Sequence, residues 1–231
     1  MKLNFFTRMM LGVAAAFTLF SCDIDDDSDY YAPAPTVAFG IIANTSPSSG
    51  DLYFYADANQ INNDALTYGD ARGYFRFNTG QRVLSLKEAD GTLLDSVSLN
   101  LKAGDVFSAF AVNTFNNIEL VTYTDSLAQP TAGHALVRFI NLSPDAGSVD
   151  ISGTTQTFAT GVDFKEATKY ISVQSGSYDI TFKDTESGTT IYTTTAEEFI
   201  SGRIYTVYTK GFVTPPTGSN DTFSTKKLLN Y

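Results

Sequence analysis

The chain has one cysteine, one histidine and no tryptophan in 231 residues, and each shortage closes off a class of chemistry. With Cys22 alone, no disulfide can form within the chain, so side-chain packing must hold the fold. With His134 alone, the usual Cys/His ligand sets for zinc cannot be assembled. A Ser-His-Asp triad would have to recruit His134, and no Gly-x-Ser-x-Gly elbow accompanies it. Neither a P-loop nor a dinucleotide-binding glycine pattern occurs. Paired carboxylates need no fixed spacing, but Asp145, Asp150 and Glu197 read more simply as a turn residue, an outward strand position and a solvated loop. No catalytic, cofactor-binding or metal-ligating residue is assigned, and the chain is expected not to be an enzyme.

A membrane-spanning run is also missing. The apolar stretch Met9 to Phe20 has twelve residues, against the roughly 20 that a spanning helix needs. Lys2 and Arg8 precede it and Ser21 follows, which is the order of a cleavable secretory signal over residues 1–21. Leu19-Phe20-Ser21-Cys22 resembles the lipobox of bacterial lipoproteins: an aliphatic residue, a permissive position, a small residue, then the acylated cysteine. Two or three acyl chains such as palmitate, at about 0.8 kcal/mol per buried methylene, anchor stably where one would not. Cys22 is the expected lipidation site. An unlipidated exposed thiol in an oxidising compartment is the poorer account of a single cysteine.

The signal holds two of the fifteen basic residues and none of the twenty-five acidic ones, which leaves thirteen against twenty-five and a net charge of −12. That balance argues against nucleic acid and anionic membrane surfaces as partners. Residues 22–35 are acidic, then Ala/Pro-rich, and read as an extended tether. The run Asp23, Asp25, Asp26, Asp27, Asp29 lacks the glycine and distal glutamate of an EF-hand loop and is better read as a solvated spacer. Its position just after a lipobox cysteine resembles a sorting address. In Bacteroidetes-type bacteria an acidic stretch there directs export to the outer surface; in enterobacteria Asp at the second position retains the protein at the inner membrane. Five acidic residues in seven favour the surface over periplasm-facing or inner-membrane placement.

Beyond the tether the sequence repeats at a spacing of about 97 residues. Asn44-Thr45-Ser46-Pro47 recurs as Asn141-Leu142-Ser143-Pro144, and Tyr74-Phe75-Arg76-Phe77-Asn78-Thr79-Gly80 as Tyr170-Ile171-Ser172-Val173-Gln174-Ser175-Gly176. Leu84 to Lys87 recurs as Ile180 to Lys183, and Ala103 to Phe107 as Ser201 to Tyr205. Two modules follow, 36–126 and 134–231, joined by a linker over 127–133. Short runs alternate with period two between turn residues, for example Ala135 to Ile140, Tyr178 to Phe182 and Arg203 to Thr209, and no helical apolar stripe occurs. About seven half-buried strands per module predict an all-β chain of two tandem antiparallel, Ig-like β-sandwiches.

The runs ALVRFINLSPDAGSVDI, YISVQSGSYDITFKD and SGRIYTVYTKG resemble a bacterial domain of unknown function, DUF4397, with the second module the clearer match. The resemblance implies a β-sandwich, an envelope lipoprotein and tandem copies; it implies no activity and no site residues.

The function these features support is a lipid-anchored, non-enzymatic binding or structural module at the cell envelope, with a protein or polysaccharide partner. The alternative is a carbohydrate-binding accessory lipoprotein using Tyr30-Tyr31, Tyr53-Phe54-Tyr55 and Tyr205/Tyr208. Tyr53 and Tyr55 share one strand face as core residues do, and the absence of Trp counts against a stacking platform. Asp95-Ser96-Val97 and Asp125-Ser126-Leu127 fit a three-residue O-glycosylation pattern of such bacteria, a weak signal at that length.

Overall fold

A computed structural model of the protein describes residues 36–126 and 128–230. Cys22, the signal, the acidic run and Tyr30-Tyr31 lie outside the described residues, which all belong to the compact unit Ala34–Tyr231. Among them the one helical element is a 3-10 turn at Phe115–Asn117, and no helix is long and apolar enough to cross a membrane.

Sixteen strands fall into two sets of eight with the same order. In the first, β1 (Val37–Asn44), β4 (Ala71–Asn78), β7 (Val106–Val112) and β8 (Glu119–Thr124) form a sheet ordered β4-β1-β7-β8. Its companion, ordered β3-β2-β5-β6, comprises β2 (Tyr53–Ala56), β3 (Asn59–Gln60), β5 (Gly80–Lys87) and β6 (Leu93–Leu101). In the second set, β9 (His134–Ile140), β12 (Ile171–Gln174), β15 (Ile204–Lys210) and β16 (Ser224–Leu229) are ordered β12-β9-β15-β16. The remaining sheet, β11-β10-β13-β14, is built from β10 (Val149–Gly153), β11 (Thr157–Val162), β13 (Gly176–Asp184) and β14 (Thr190–Phe199). The chain is all-β and its modules are sandwiches. Strand pairing is antiparallel except that the first strand of each set lies parallel to the seventh, β1 with β7 and β9 with β15.

The burial pattern arranges the four sheets as successive layers. Ala38, Ile42, Phe107 and Ala109 of the β1–β7 sheet meet Phe54, Leu84 and Leu86 of its companion in one core. Val137, Phe139 and Val207 meet Ile151, Ile180 and Phe182 in another. A third core lies between the sets: Ile41, Ala43, Phe110 and Val112 pack on Ile140, Leu142, Tyr208 and Leu228. The two middle sheets are therefore covered on both faces. All seven residues of β7 are buried, and so are the first six of β15. This differs from the half-buried strand expected for Arg203 to Thr209, because docking the sandwiches against each other removes the solvent face. Each set also has eight strands rather than about seven; the short β3 and the Thr157–Val162 strand carry little alternating pattern.

The repeated Asn-x-Ser-Pro anchors have a physical explanation. Buried Asn44 ends β1, and its amide donates to Leu66 O (3.1 Å) while its Oδ1 accepts from Ser46 N (3.1 Å). Asn141, the residue after β9, acts similarly, donating to Gly147 O (2.9 Å) and Val162 O (3.0 Å) and accepting from Thr209 Oγ1 (2.8 Å). Each asparagine satisfies buried turn backbone that strand pairing leaves open. Gly40 is needed for close approach: a Cβ there would lie 2.6 Å from the Phe107 ring and 2.7 Å from that of Phe77.

At one end of the central interface is a buried polar cluster. Arg138 of β9 pairs with Asp125, the residue after β8, and both side chains are at most 3% exposed. Asp125 also accepts from Ser108 Oγ (2.8 Å) and Asn230 Nδ2 (3.0 Å), while Arg138 donates to Thr206 Oγ1 (2.9 Å) and Thr124 O (2.8 Å). Burial pushes the Asp125 carboxyl up, against the opposing pull of the guanidinium.

Candidate functional site

The carboxylates and histidine considered from the sequence are scattered and structurally occupied. His134 begins β9 with Nδ1 3.2 Å from Ala132 O. Asp145 accepts from Val213 N (2.7 Å) and Thr214 N (2.8 Å), fastening the long loop before β16. Asp150 accepts from Gly161 N (2.8 Å) and Thr185 Oγ1 (2.9 Å), and Glu197 pairs with Lys227 (2.6 Å). Glu197 is thus a strand residue in an ion pair, not a solvated loop. Among the described residues no group of three His, Cys, Asp or Glu could hold a metal ion.

The tyrosine assignments need correcting. Tyr205 and Tyr208 are buried at 5% and 0% exposure, in the core of the second set and in the central interface, so neither can stack on a ligand. Tyr53 and Tyr55 are not core residues: Phe54 between them takes the inward position at 0% exposure, and the alternation of β2 turns both tyrosines outward. Tyr55 is covered by the Lys87 ammonium, 4.3 Å from its ring centroid. In the second set the same strand places Asp150 and Ser152 on the outer face, beside Lys183 and Thr181. Of the two glycosylation patterns, Ser96 is exposed on β6, whereas Asp125 is locked in the buried cluster.

The described residues enclose a cleft of about 220 Å³ in the first set, where the β2–β3 turn meets the end of β4 and the start of β5. It opens between two edge strands, β3 of the outer sheet and β4 of the inner one. Ile61, Phe75 and Phe77 give it an apolar side, all packed on the first core. Asn59, Gln60 and Asn78 line it with exposed amide residues. One end is the Asp57–Arg82 pair at 3.4 Å. Asp57 Oδ1 accepts from Val83 N (2.9 Å), and Arg82 donates to Thr79 O (2.6 Å), Gln81 O (2.9 Å) and Asn78 O (3.1 Å). Both charges are therefore fixed in place by the backbone around them.

The register shows what stands at the corresponding place in the second set. Gly80 faces Leu101 in the first set; Gly176 faces Phe199 in the second. Two residues on from each glycine, Arg82 corresponds to Tyr178. Ile61, just beyond β3, corresponds to Phe158 of β11. Where the first set has Ile61, Arg82 and Leu101, the second has three aromatic rings, Phe158–Tyr178 at 5.9 Å and Tyr178–Phe199 at 5.7 Å between centroids. The Tyr178 hydroxyl donates to Gln174 O (2.7 Å), as Arg82 donates to Asn78 O. The duplicated scaffold packs three aromatic rings together at this place in one copy and carries the cleft in the other.

The family described as Domain of unknown function (DUF4397) matches residues 41–152. The match runs from β1 through β10, so it lies mainly on the first set; of the three runs that carry the resemblance in the second set, only ALVRFINLSPDAGSVDI falls within it. The expectation that the second copy matches more clearly is corrected accordingly. No curated protein matches the chain. Among solved structures, an α-glucan-binding streptococcal virulence factor is similar at 13% identity and a TM-score of 0.23, over 74% of this chain and 92% of that one. Family 41 carbohydrate-binding modules of streptococcal virulence factors, which recognise α-glucan, give 12% and 0.24 over 74% and 92%. A candidate cell adhesion protein from Bacteroides uniformis gives 11% and 0.27 over 85% and 98%. At TM-scores this low, none of the three bears on what this chain binds.

Proposed function

We propose that this protein is a lipid-anchored envelope protein that binds a polymeric partner, protein or polysaccharide, without catalysing a reaction. Its two sandwiches are read as tandem copies of one domain, tethered by Cys22 at the outer membrane and facing the exterior. The observation that carries the binding reading is the cleft between β3 and β4 of the first copy, at a place where the second copy packs Phe158, Tyr178 and Phe199 together. A purely structural repeat has no need for that asymmetry, since sealing the core is the favourable default for a sandwich. Support for the tether comes from the lipobox-like Leu19-Phe20-Ser21-Cys22 and the acidic spacer that follows it.

Two measurements test the tether and its placement. The wild-type chain is expected to partition into detergent and to be cleaved when intact cells are shaved with protease. Cys22→Ala should move the protein to the aqueous phase. Full protection of the wild type from shaving would refute the surface placement, and unchanged partitioning of Cys22→Ala would refute the lipid anchor.

A further inference from the structure

We infer that the cleft takes an extended peptide segment of a partner protein, added as a strand to the free edge of β4 with an acidic side chain opposite Arg76. This names the partner class and rests on the binding reading above. Backbone geometry is the first argument. On the β7 side of β1, Val37 O accepts from Gly104 N (2.9 Å) and Phe39 N donates to Asp105 O (2.8 Å). Alternation therefore turns the backbone groups of Ala38 and Gly40 toward β4, where their partners are Phe77 and Phe75. The N–H and C=O of Arg76 and Asn78 then point off the free edge, at the cleft that both residues line. Arg82 Nε donates to Asn78 O (3.1 Å). The Asn78 N–H and both backbone groups of Arg76 have no partner among the described residues. A residue with both groups free is what an incoming antiparallel strand pairs with.

Side-chain alternation is the second argument. Phe75 and Phe77 face the first core, so Arg76 between them projects from the opposite face of the sheet. Asp57 and Arg82 neutralise each other, whereas Arg76 is exposed and makes no ion pair among the described residues. In an added strand, the residue opposite Arg76 points to the same face with its Cβ about 4.5–5.5 Å away, in reach of the guanidinium if it is Asp or Glu. Its two neighbours point to the other face, toward Ile61, Phe75 and Phe77, where the cleft of about 220 Å³ receives an apolar side chain. The segment is therefore apolar, acidic, apolar in order.

Other occupants fit less well. Two copies of this chain paired antiparallel about Arg76 would set like charges opposite each other. A uronic acid could pair with the guanidinium, but a sugar ring carries no row of N–H and C=O groups at strand spacing. The second sandwich lacks the combination: Ser172 stands four residues before Gly176, as Arg76 does before Gly80, and Phe158, Tyr178 and Phe199 pack together at the place of the cleft.

The full chain in detergent micelles is titrated by calorimetry with the capped pentapeptide Thr-Val-Glu-Val-Thr, its analogue with Lys at the centre, a form N-methylated at the Glu amide, and a glucuronate tetramer. The Glu peptide is expected to bind. The central Lys should weaken it about fivefold, the upper range for losing one exposed ion pair, and N-methylation should abolish binding by removing a ladder bond. Arg76→Glu should reverse the preference between the Glu and Lys peptides. Ile61→Phe installs the counterpart of Phe158 and should weaken the Glu peptide about tenfold, with an unchanged or higher melting temperature. Hydrogen exchange at the Arg76 and Asn78 amides should slow when the peptide is bound. If Ile61→Phe fails to fold, Arg76→Glu on the exposed face and the two amides give the readout. Peptide binding that leaves those amides unprotected overturns the assignment to the β4 edge, and a preference that Arg76→Glu does not reverse overturns the acidic side chain. Binding of glucuronate alone, weakened by Ile61→Phe or Arg76→Glu, overturns the peptide class while the binding reading stands. If nothing binds in a cleft-sensitive way, both fall.

Discussion

Asp125→Ala tests whether the two sandwiches form one body. The substitution leaves the Arg138 guanidinium in place, with a side chain 3% exposed and its charge uncompensated. It also removes the acceptor of Ser108 Oγ and Asn230 Nδ2. Breaking a buried pair from one side costs about 3–5 kcal/mol, a fifth or more of the roughly 5–15 kcal/mol that stabilises an ordinary domain. For about 150–250 residues each kilocalorie moves the melting temperature by about 2–4 °C, so a fall of about 6–20 °C is expected. Arg138→Ala should cost a similar amount, and the double variant less than the sum, with a coupling of about 0.5–3 kcal/mol. The assay is urea and thermal unfolding followed by near-UV circular dichroism, which reads the aromatic cores of both sets. A single transition that shifts as a whole is the expected result. Two refuting results are a cost below about 1 kcal/mol, which would mean a solvated pair, and a transition that splits with only one half displaced, which would mean that the sandwiches unfold separately.

Two further substitutions probe the layers. Phe110→Ala removes a ring lying 5.2 Å from Tyr208 and 5.8 Å from Tyr123 in the central core; it should cost about 3–5 kcal/mol and destabilise both sets together, as measured by hydrogen exchange in β1 and β9. Along β2, Phe54→Ala should cost about 3–5 kcal/mol while Tyr53→Ala and Tyr55→Ala cost less than about 1 kcal/mol each; equal costs in urea titrations would place the tyrosines in the core after all.

The sequence showed the architecture where local pattern and tertiary fate agree. Turn residues, period-two runs and four repeated anchors led to two β-sandwiches because each anchor has a local mechanical role, as Asn44 and Asn141 do at the ends of β1 and β9. It failed where a neighbouring sheet decides the outcome. The run RIYTVYT reads as a half-buried strand, and only docking of the sandwiches makes both faces of β15, and likewise of β7, internal. The parallel placing of β1 beside β7 is likewise a matter of topology, with no signature in either strand. Tyr53 and Tyr55 were assigned to the wrong face because alternation fixes that two residues share a face without saying which face is inside; Phe54 settled the matter.

The cleft was legible only in part, and the reason is instructive about duplicated folds. A hydrophobic pattern records what must be buried, and in the second copy Phe158, Tyr178 and Phe199 meet that demand. In the first copy the same positions hold Ile61, Arg82 and Leu101, a set that looks in isolation like ordinary strand-end variation. Arg82 even keeps the mechanical duty of Tyr178 by donating to the carbonyl of the residue that ends the neighbouring strand, Asn78 in place of Gln174. The change from ring to guanidinium therefore preserves the brace while withdrawing apolar volume, and Asp57 beside it at the same end of the cleft pairs with the new charge. Aligning the two copies by register, rather than reading either alone, shows the substitution as a loss of seal. Were the opening a mere packing defect, refilling it with Ile61→Phe would raise stability at no functional cost; an opening with a ligand should lose binding as it gains stability.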